Sequence, residues 1–156
     1  MKIVGFNFHK GRIRLVVLEW AIDKPSYVGR KVVDIDSELP LPELTDRYIS
    51  HLRGLLDEIS ADAVAVRLVW ESGSLDEAKS QIMPAGLLAL VCHEKSLPLH
   101  HYTMQALRSG KPFGLDKSKK PIEEVDTLFG DHPPYWDNLQ RVALLVAWRA
   151  LLDSHK

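Results

Sequence analysis

A mixed α/β sheet covered by helices on both faces is the fold class this sequence predicts, and three observations predict it. Three extended segments follow one another before any helical periodicity begins. Helical and extended segments alternate after that. The first segment is apolar on both of its faces, as a central strand must be.

Taken in order, residues 2–8 set Ile3, Gly5 and Asn7 against Val4, Phe6 and Phe8, which gives the central strand. Lys10-Gly11 is turn chemistry, and residues 12–20 form the second strand. Lys24-Pro25-Ser26 makes the next turn, and Tyr27 to Ile35 returns as a third strand, completing an antiparallel meander. Pro40 and Pro42 end the extended region. In residues 43–59, Leu44, Tyr48, Leu52, Leu55 and Ile59 recur every three to four positions on one helical face. Asp62 to Trp70 is a short apolar strand flanked by helices, and so parallel to the first. Ser74-Leu75-Asp76-Glu77 is a capping-box pattern that starts a helix running to Glu94, with Pro84 expected to kink or break it. Pro98 to Tyr102 is a short strand, Lys119 to Phe129 a helix, and Gly130 to Pro134 a loop. Asp137 to Leu152 is the last helix, with Leu139, Val142, Ala143, Val146, Ala147 and Ala150 on one stripe.

The order β-β-β-α-β-α-β-α-α over residues 1–156 reads as one domain. It is the order of the ribonuclease H-like fold: a five-stranded sheet with three antiparallel strands, then two parallel ones. A chain with 46% hydrophobic and 26% charged residues has ordinary globular composition. No apolar run reaches the about 20 residues of a membrane span. The start reads as a strand, not a signal peptide, and the single cysteine, Cys92, fits a reducing cytoplasm and a core position. A net charge of −1 gives no global signature of nucleic-acid binding, so such a function must rest on a local patch.

Five segments together carry a family resemblance: Met1 to Asn7, Asp62-Ala63-Val64-Ala65-Val66, Pro84 to Leu90, Pro98 to Thr103, and the alanine-rich helix begun by Asp137. In their order and spacing the chain resembles the RuvC family of Holliday-junction resolvases over nearly its whole length. The resemblance implies four carboxylates holding two magnesium ions for phosphodiester cleavage, and a homodimer. Matched residue by residue, those four positions are Asn7, Arg67, Asp137 and Gln140. Asn7 and Gln140 are neutral, Arg67 is +1 and Asp137 is −1, so the four sum to zero where the family has four negative charges. Magnesium prefers carboxylates and water, and a fixed guanidinium repels it. The expectation is therefore a degenerate site with no cofactor; magnesium enters only if the chain is an active nuclease with displaced acids, drawn from Glu71, Asp76, Asp131 and Asp137.

Each position also has a structural explanation. Asn7 can be a strand-end polar group bonded to backbone or to Arg67. Arg67, ending an apolar strand, is expected to pair with Asp137, the alternative being a phosphate anchor where the metals would lie. Asp137 and Gln140 stand at N-cap and N3 spacing, so helix capping accounts for both. His100 and His101 are adjacent on a strand and cannot share a metal from one face. Of the four tryptophans, Trp70, Trp136 and Trp148 are potential anchors; core packing is the default, and Trp136 has base stacking or filling a partner's pocket as alternatives.

The stretch Arg108 to Lys120 carries five basic residues, Arg108, Lys111, Lys117, Lys119 and Lys120, against one acid, Asp116. In the resemblance it falls at a basic loop beside the substrate groove. It is either a phosphate-contacting patch or a solvated loop. The function expected is a non-catalytic domain that binds DNA or RNA, branched or single-stranded, or a protein partner, through an inherited groove. The alternatives are the active nuclease and a pure interaction module. A phosphate-cradling role of the sugar-kinase type finds weak support in Gly5 and Gly11, but 156 residues do not supply a second lobe.

Overall fold

The computed structural model describes residues 1–131 and 136–156. The sheet runs β3-β2-β1-β4-β5, with β1 Lys2–His9, β2 Arg12–Ala21, β3 Lys24–Asp34, β4 Ala63–Arg67 and β5 Leu99–Tyr102. β1, β2 and β3 are antiparallel neighbours, whereas β4 and β5 run parallel to β1. The expected sheet is therefore present.

β1 and β2 are joined by the two residues Lys10 and Gly11, both at positive φ. That geometry suits a two-residue hairpin, because its twist matches the strands. It fixes the register: His9 opposes Arg12, and Asn7 opposes Arg14. The second turn differs from expectation. It falls at Ile22-Asp23, with Ile22 in the left-handed region and almost wholly exposed, and Lys24 and Pro25 already belong to β3. An edge strand tolerates a proline where a central strand does not.

β4 is shorter than expected. It ends at Arg67, and Trp70 is exposed rather than in the core. The helix expected from Ser74 to Glu94, with a kink or break at Pro84, is α2 Leu75–Glu77, a π-helical turn over Ala78–Ile82, then α3 Met83–Glu94. Ser74 caps it as expected. The proline at 84 has no N–H to give to the carbonyl four residues back, and its ring would crowd that group. The wider π turn immediately before it relieves both problems.

α1 Leu41–Ile59 and α3 cover one face of the sheet, burying Phe6, Phe8, Ile13, Leu15 and Val66 against Leu44, Tyr48, Leu52 and Leu88. Pro42 lies in the first turn of α1, where its missing N–H costs nothing. α4 Pro121–Phe129 and α5 Asn138–Ser154 cover the other face. α5 buries more than its expected stripe. Leu144, Leu145 and Trp148 are also buried, because Leu107, Phe113, Val125 and Phe129 close over its outer side. Cys92 is buried in the α3 core, as expected.

α5 crosses β1 at Gly5. A Cβ there would lie 2.1 Å from the Ala143 carbonyl oxygen and 2.9 Å from the Ala147 Cβ. Gly29 on β3 has nothing within 4 Å of such a Cβ. We therefore predict that Gly5→Ala lowers stability by about 1–3 kcal/mol, the usual cost of overpacking. Gly29→Ala is expected to be neutral or slightly stabilising. Urea unfolding of the two variants checks this, and equal midpoints would sink the close-approach reading.

Candidate functional site

Side-chain alternation places Ile3, Gly5 and Asn7 of β1 on the α5 face of the sheet. The same rule places Arg14, Val16 and Leu18 of β2 there, and Ala63, Ala65 and Arg67 of β4. At the carboxyl end of β1 these three strands present Arg14, Asn7 and Arg67 side by side beneath the first turn of α5.

Asn7 is completely buried. Its Nδ2 donates to the Leu139 carbonyl oxygen at 2.9 Å, and its Oδ1 accepts from Arg67 Nε at 2.7 Å. The amide uses both ends, one as donor and one as acceptor. An aspartate could take the guanidinium but not give a proton to Leu139, so this network requires an amide. Arg67 Nη2 also donates to the Phe8 carbonyl oxygen at 3.0 Å and to Gln81 Oε1 at 3.4 Å. Gln81 sits on the π turn, so that irregularity brings a further acceptor to Arg67. Burial pushes the Arg67 guanidinium below the ordinary arginine range.

The expected Arg67–Asp137 ion pair does not form. Asp137 Oδ1 accepts the Gln140 backbone N–H at 2.7 Å, and Gln140 Oε1 accepts the Asp137 N–H at 3.4 Å, a reciprocal capping box. Asp137 is paired instead with Arg14, whose Nε lies 3.7 Å from Oδ2. Arg67 turns instead toward Asn7, which is nearer across the parallel β1–β4 pair and offers an oxygen in the sheet plane.

Arg14 and Arg30 were missed as site residues. Arg30 on β3 reaches Gln140 Oε1 at 3.4 Å and lies over the Trp136 ring at 4.6 Å. Counting back from a two-residue turn at Lys10-Gly11 would have set Arg14 opposite Asn7 from sequence alone. Arg30 carried no such local signal. With these two included, the site holds three arginines and one carboxylate, and the zero charge of the four matched positions becomes +2. His9, one residue beyond this row, is held below the ordinary imidazole range by burial first, then by Lys10, Arg67 and Arg14.

These side chains do not fit two magnesium ions. The Asn7 oxygen is taken by a guanidinium, Gln140 by the cap, and the remaining carboxylate stands beside a second guanidinium. The displaced acids do not converge either. Glu71 lies exposed past β4, Asp131 lies exposed past α4, and Asp76 lines a cleft with Lys10, Tyr48 and Lys79 on the α1 side. Among the described residues, no three His, Cys, Asp or Glu side chains form a group that could hold a metal.

The basic stretch is an ordered loop. Two 3₁₀ turns, Gln105–Leu107 and Lys111–Phe113, bury Leu107 and Phe113, and Phe113 packs on Trp148 with ring centres 4.7 Å apart. The chain folds back so closely that a Cβ on Gly110 would meet the Asp116 and Lys119 carbonyl oxygens at 2.4 and 2.7 Å. Arg108, Lys111, Lys117, Lys119 and Lys120 are all exposed on it. Arg108 and Lys120 come together at a cleft floored by Leu107, Pro121, Ile122 and Leu145. Trp136 and Trp148 are core residues, whereas Trp70 stands 68% exposed with its ring edge-on to His101. Part of the expected Gly130–Pro134 loop lies outside the described residues.

Sheet order, mixed strand directions and helices on both faces define an α/β protein of ribonuclease H-like fold. The chain is similar in sequence and in fold to RuvC-like Holliday-junction resolvases, at an identity that marks wide divergence. It is 26% identical over 156 residues to the crossover junction endodeoxyribonuclease RuvC of Thermosipho melanesiensis, covering 99% of each chain. It is 24% identical to the RuvC of Corynebacterium glutamicum, covering 96% of this chain and 71% of that one. It superposes on T. thermophilus RuvC in complex with Holliday junction substrate with a TM-score of 0.78 at 16% identity, covering 99% and 95% of the two chains. No family model matches the chain. No helix of the described residues is long and apolar enough to cross a membrane.

The revised pairing has a direct consequence for coupling. A double-mutant cycle of Asn7→Ala with Arg67→Ala is expected to give an interaction energy of about 1–3 kcal/mol, typical of groups in one buried network. The cycle of Arg67→Ala with Asp137→Ala should give nearly none. Denaturant unfolding of the five variants decides it, and coupling confined to the second pair would restore the Arg67–Asp137 bridge.

Proposed function

We propose that residues 1–156 form a single, catalytically degenerate RuvC-like domain that binds nucleic acid, branched or single-stranded, through the groove of its fold. The observation that carries this reading is the 2.7 Å bond from Arg67 to Asn7, at the strand end where the resemblance calls for metal-binding carboxylates. A guanidinium locked onto an amide there replaces a cation-binding site with a cationic one. The ordered loop supports the reading, because it holds Arg108, Lys111, Lys117, Lys119 and Lys120 at the surface for phosphate contacts. Similarity to proteins whose names specify junction resolution supports nucleic acid as the ligand class. A cytoplasmic homodimer is the assembly that goes with this reading.

Two measurements test it. The protein should bind junction, flap or single-stranded DNA or RNA without cleaving any of them in magnesium, and Asn7→Asp alone should not create cleavage. Magnesium-dependent cleavage by the unaltered protein would favour the active-nuclease reading. Neutralising Lys117, Lys119 and Lys120 together should reduce the log–log salt dependence of duplex binding by roughly 2–3, since each neutralised phosphate releases about one counterion. Fluorescence anisotropy across a salt series measures the slope. No binding to any nucleic acid at low salt would leave a protein-interaction module instead.

A further inference from the structure

Arg14 is the only charged side chain that is buried among the described residues, at 6% exposure. Its Nε and Nη1 are buried and have no hydrogen-bond partner among the described residues. The nearest carboxylate oxygen, Asp137 Oδ2, stands 3.7 Å from Nε, beyond hydrogen-bond reach, and the Asp137 side chain is 54% exposed. A guanidinium buried with two orphan donors is costly, and one distant, half-hydrated carboxylate compensates little of that. The other charges near it mostly repeat its sign. Arg67 flanks Asn7 on the opposite side, and Arg30 reaches Gln140 in the same helical turn. His9 beside this row has a lowered proton affinity, from burial first and then from Lys10, Arg67 and Arg14. The capping box holds Asp137 by its other oxygen, so Oδ2 can leave Arg14 without uncapping α5.

We propose that Arg14, with Arg67 across Asn7, forms a metal-independent oxyanion site that takes a phosphate group, and that Asp137 gates it by occupying the place beside Arg14 until phosphate arrives. The inference rests on the nucleic-acid reading only for the source of the phosphate, which is either a phosphodiester of a bound strand or free phosphate. A planar guanidinium fork with unused donors matches phosphate oxygens in either case.

Asp137→Asn and Arg14→Lys test this in metal-free buffer containing a chelator. Asparagine caps a helix about as well as aspartate, so Asp137→Asn removes the competing charge and keeps α5. Arg14→Lys keeps a cation and loses the fork. The first probe is inorganic phosphate, read as a shift in Tm against chloride at equal ionic strength. The second is a labelled single-stranded oligonucleotide, read by anisotropy. Phosphate should raise Tm beyond the chloride control in the wild type. Asp137→Asn should bind phosphate several-fold tighter, and Arg14→Lys about tenfold weaker, as expected for lost charge-assisted hydrogen bonds. If oligonucleotide affinity moves in the same two directions, the phosphate belongs to the strand. If the phosphate response follows the variants but no oligonucleotide binds, the site stands with free phosphate as its ligand and the nucleic-acid reading falls. Equal responses to phosphate and chloride in both the wild type and Asp137→Asn would overturn the site. Oligonucleotide binding that ignored both substitutions would then leave the nucleic-acid reading intact without it. If Arg14→Lys does not fold, Asp137→Asn against the wild type decides the matter alone.

Discussion

The close seat of α5 on β1 is the constraint on which the rest of this molecule depends. Helix backbone reaches strand backbone at Gly5, where no side chain intervenes, and the contact continues one strand step later as the bond from Asn7 to the Leu139 carbonyl. Those two contacts set the height and rotation of α5. They bring its first turn, with Asp137 and Gln140, over the carboxyl ends of β1 and β4, where Arg14 and Arg67 rise to meet it. Small residues on the helix, Ala143 and Ala147, are what permit the approach. Leu144, Leu145 and Trp148, on its other sides, are left for α4 and the basic loop to cover.

That geometry places polar side chains where a nuclease of this resemblance would need carboxylates, and the proteins to which the chain is similar are named as crossover junction endodeoxyribonucleases. Here the polarity is inverted. A cluster of carboxylates needs metal ions to offset its mutual repulsion, whereas Asn7 and Arg67 satisfy one another and the nearby backbone directly. The polar network is complete at Arg67 and incomplete at Arg14. A buried cation typically costs several kcal/mol to desolvate unless it is paired and hydrogen-bonded, and among the described residues Arg14 Nε and Nη1 have only the longer contact to Asp137. Imperfect local satisfaction of this kind is commonest where a protein meets a ligand.

The basic loop shows how a charge run can be exposed yet fixed. Its cations point to solvent because Leu107 and Phe113 point inward onto α5, and the backbone closes on itself through bonds such as Leu115 N–H to the Gly110 carbonyl at 3.0 Å. Cations held on such a frame lose less conformational entropy on meeting phosphates than cations on a mobile tether.

The sequence alone determined the fold class, the order of every strand and the neutrality of the four matched positions. Strand and helix periods are local, and formal charge needs no coordinates. It also determined the capping box at Asp137 and Gln140, since N-cap to N3 spacing lies within one turn. Tertiary structure decided what the arginines do. Which oxygen Arg67 reaches depends on a parallel pairing between strands 60 positions apart in the chain, and sequence reasoning gave it to Asp137 on charge alone. Arg14 was within reach of hairpin counting, but nothing local revealed that its guanidinium is buried with donors to spare, because burial there is imposed by α5, more than a hundred residues downstream. The π turn at Ala78–Ile82 and the early end of β4 belong to the same class: both answer to how neighbouring elements pack, which no short window of sequence contains.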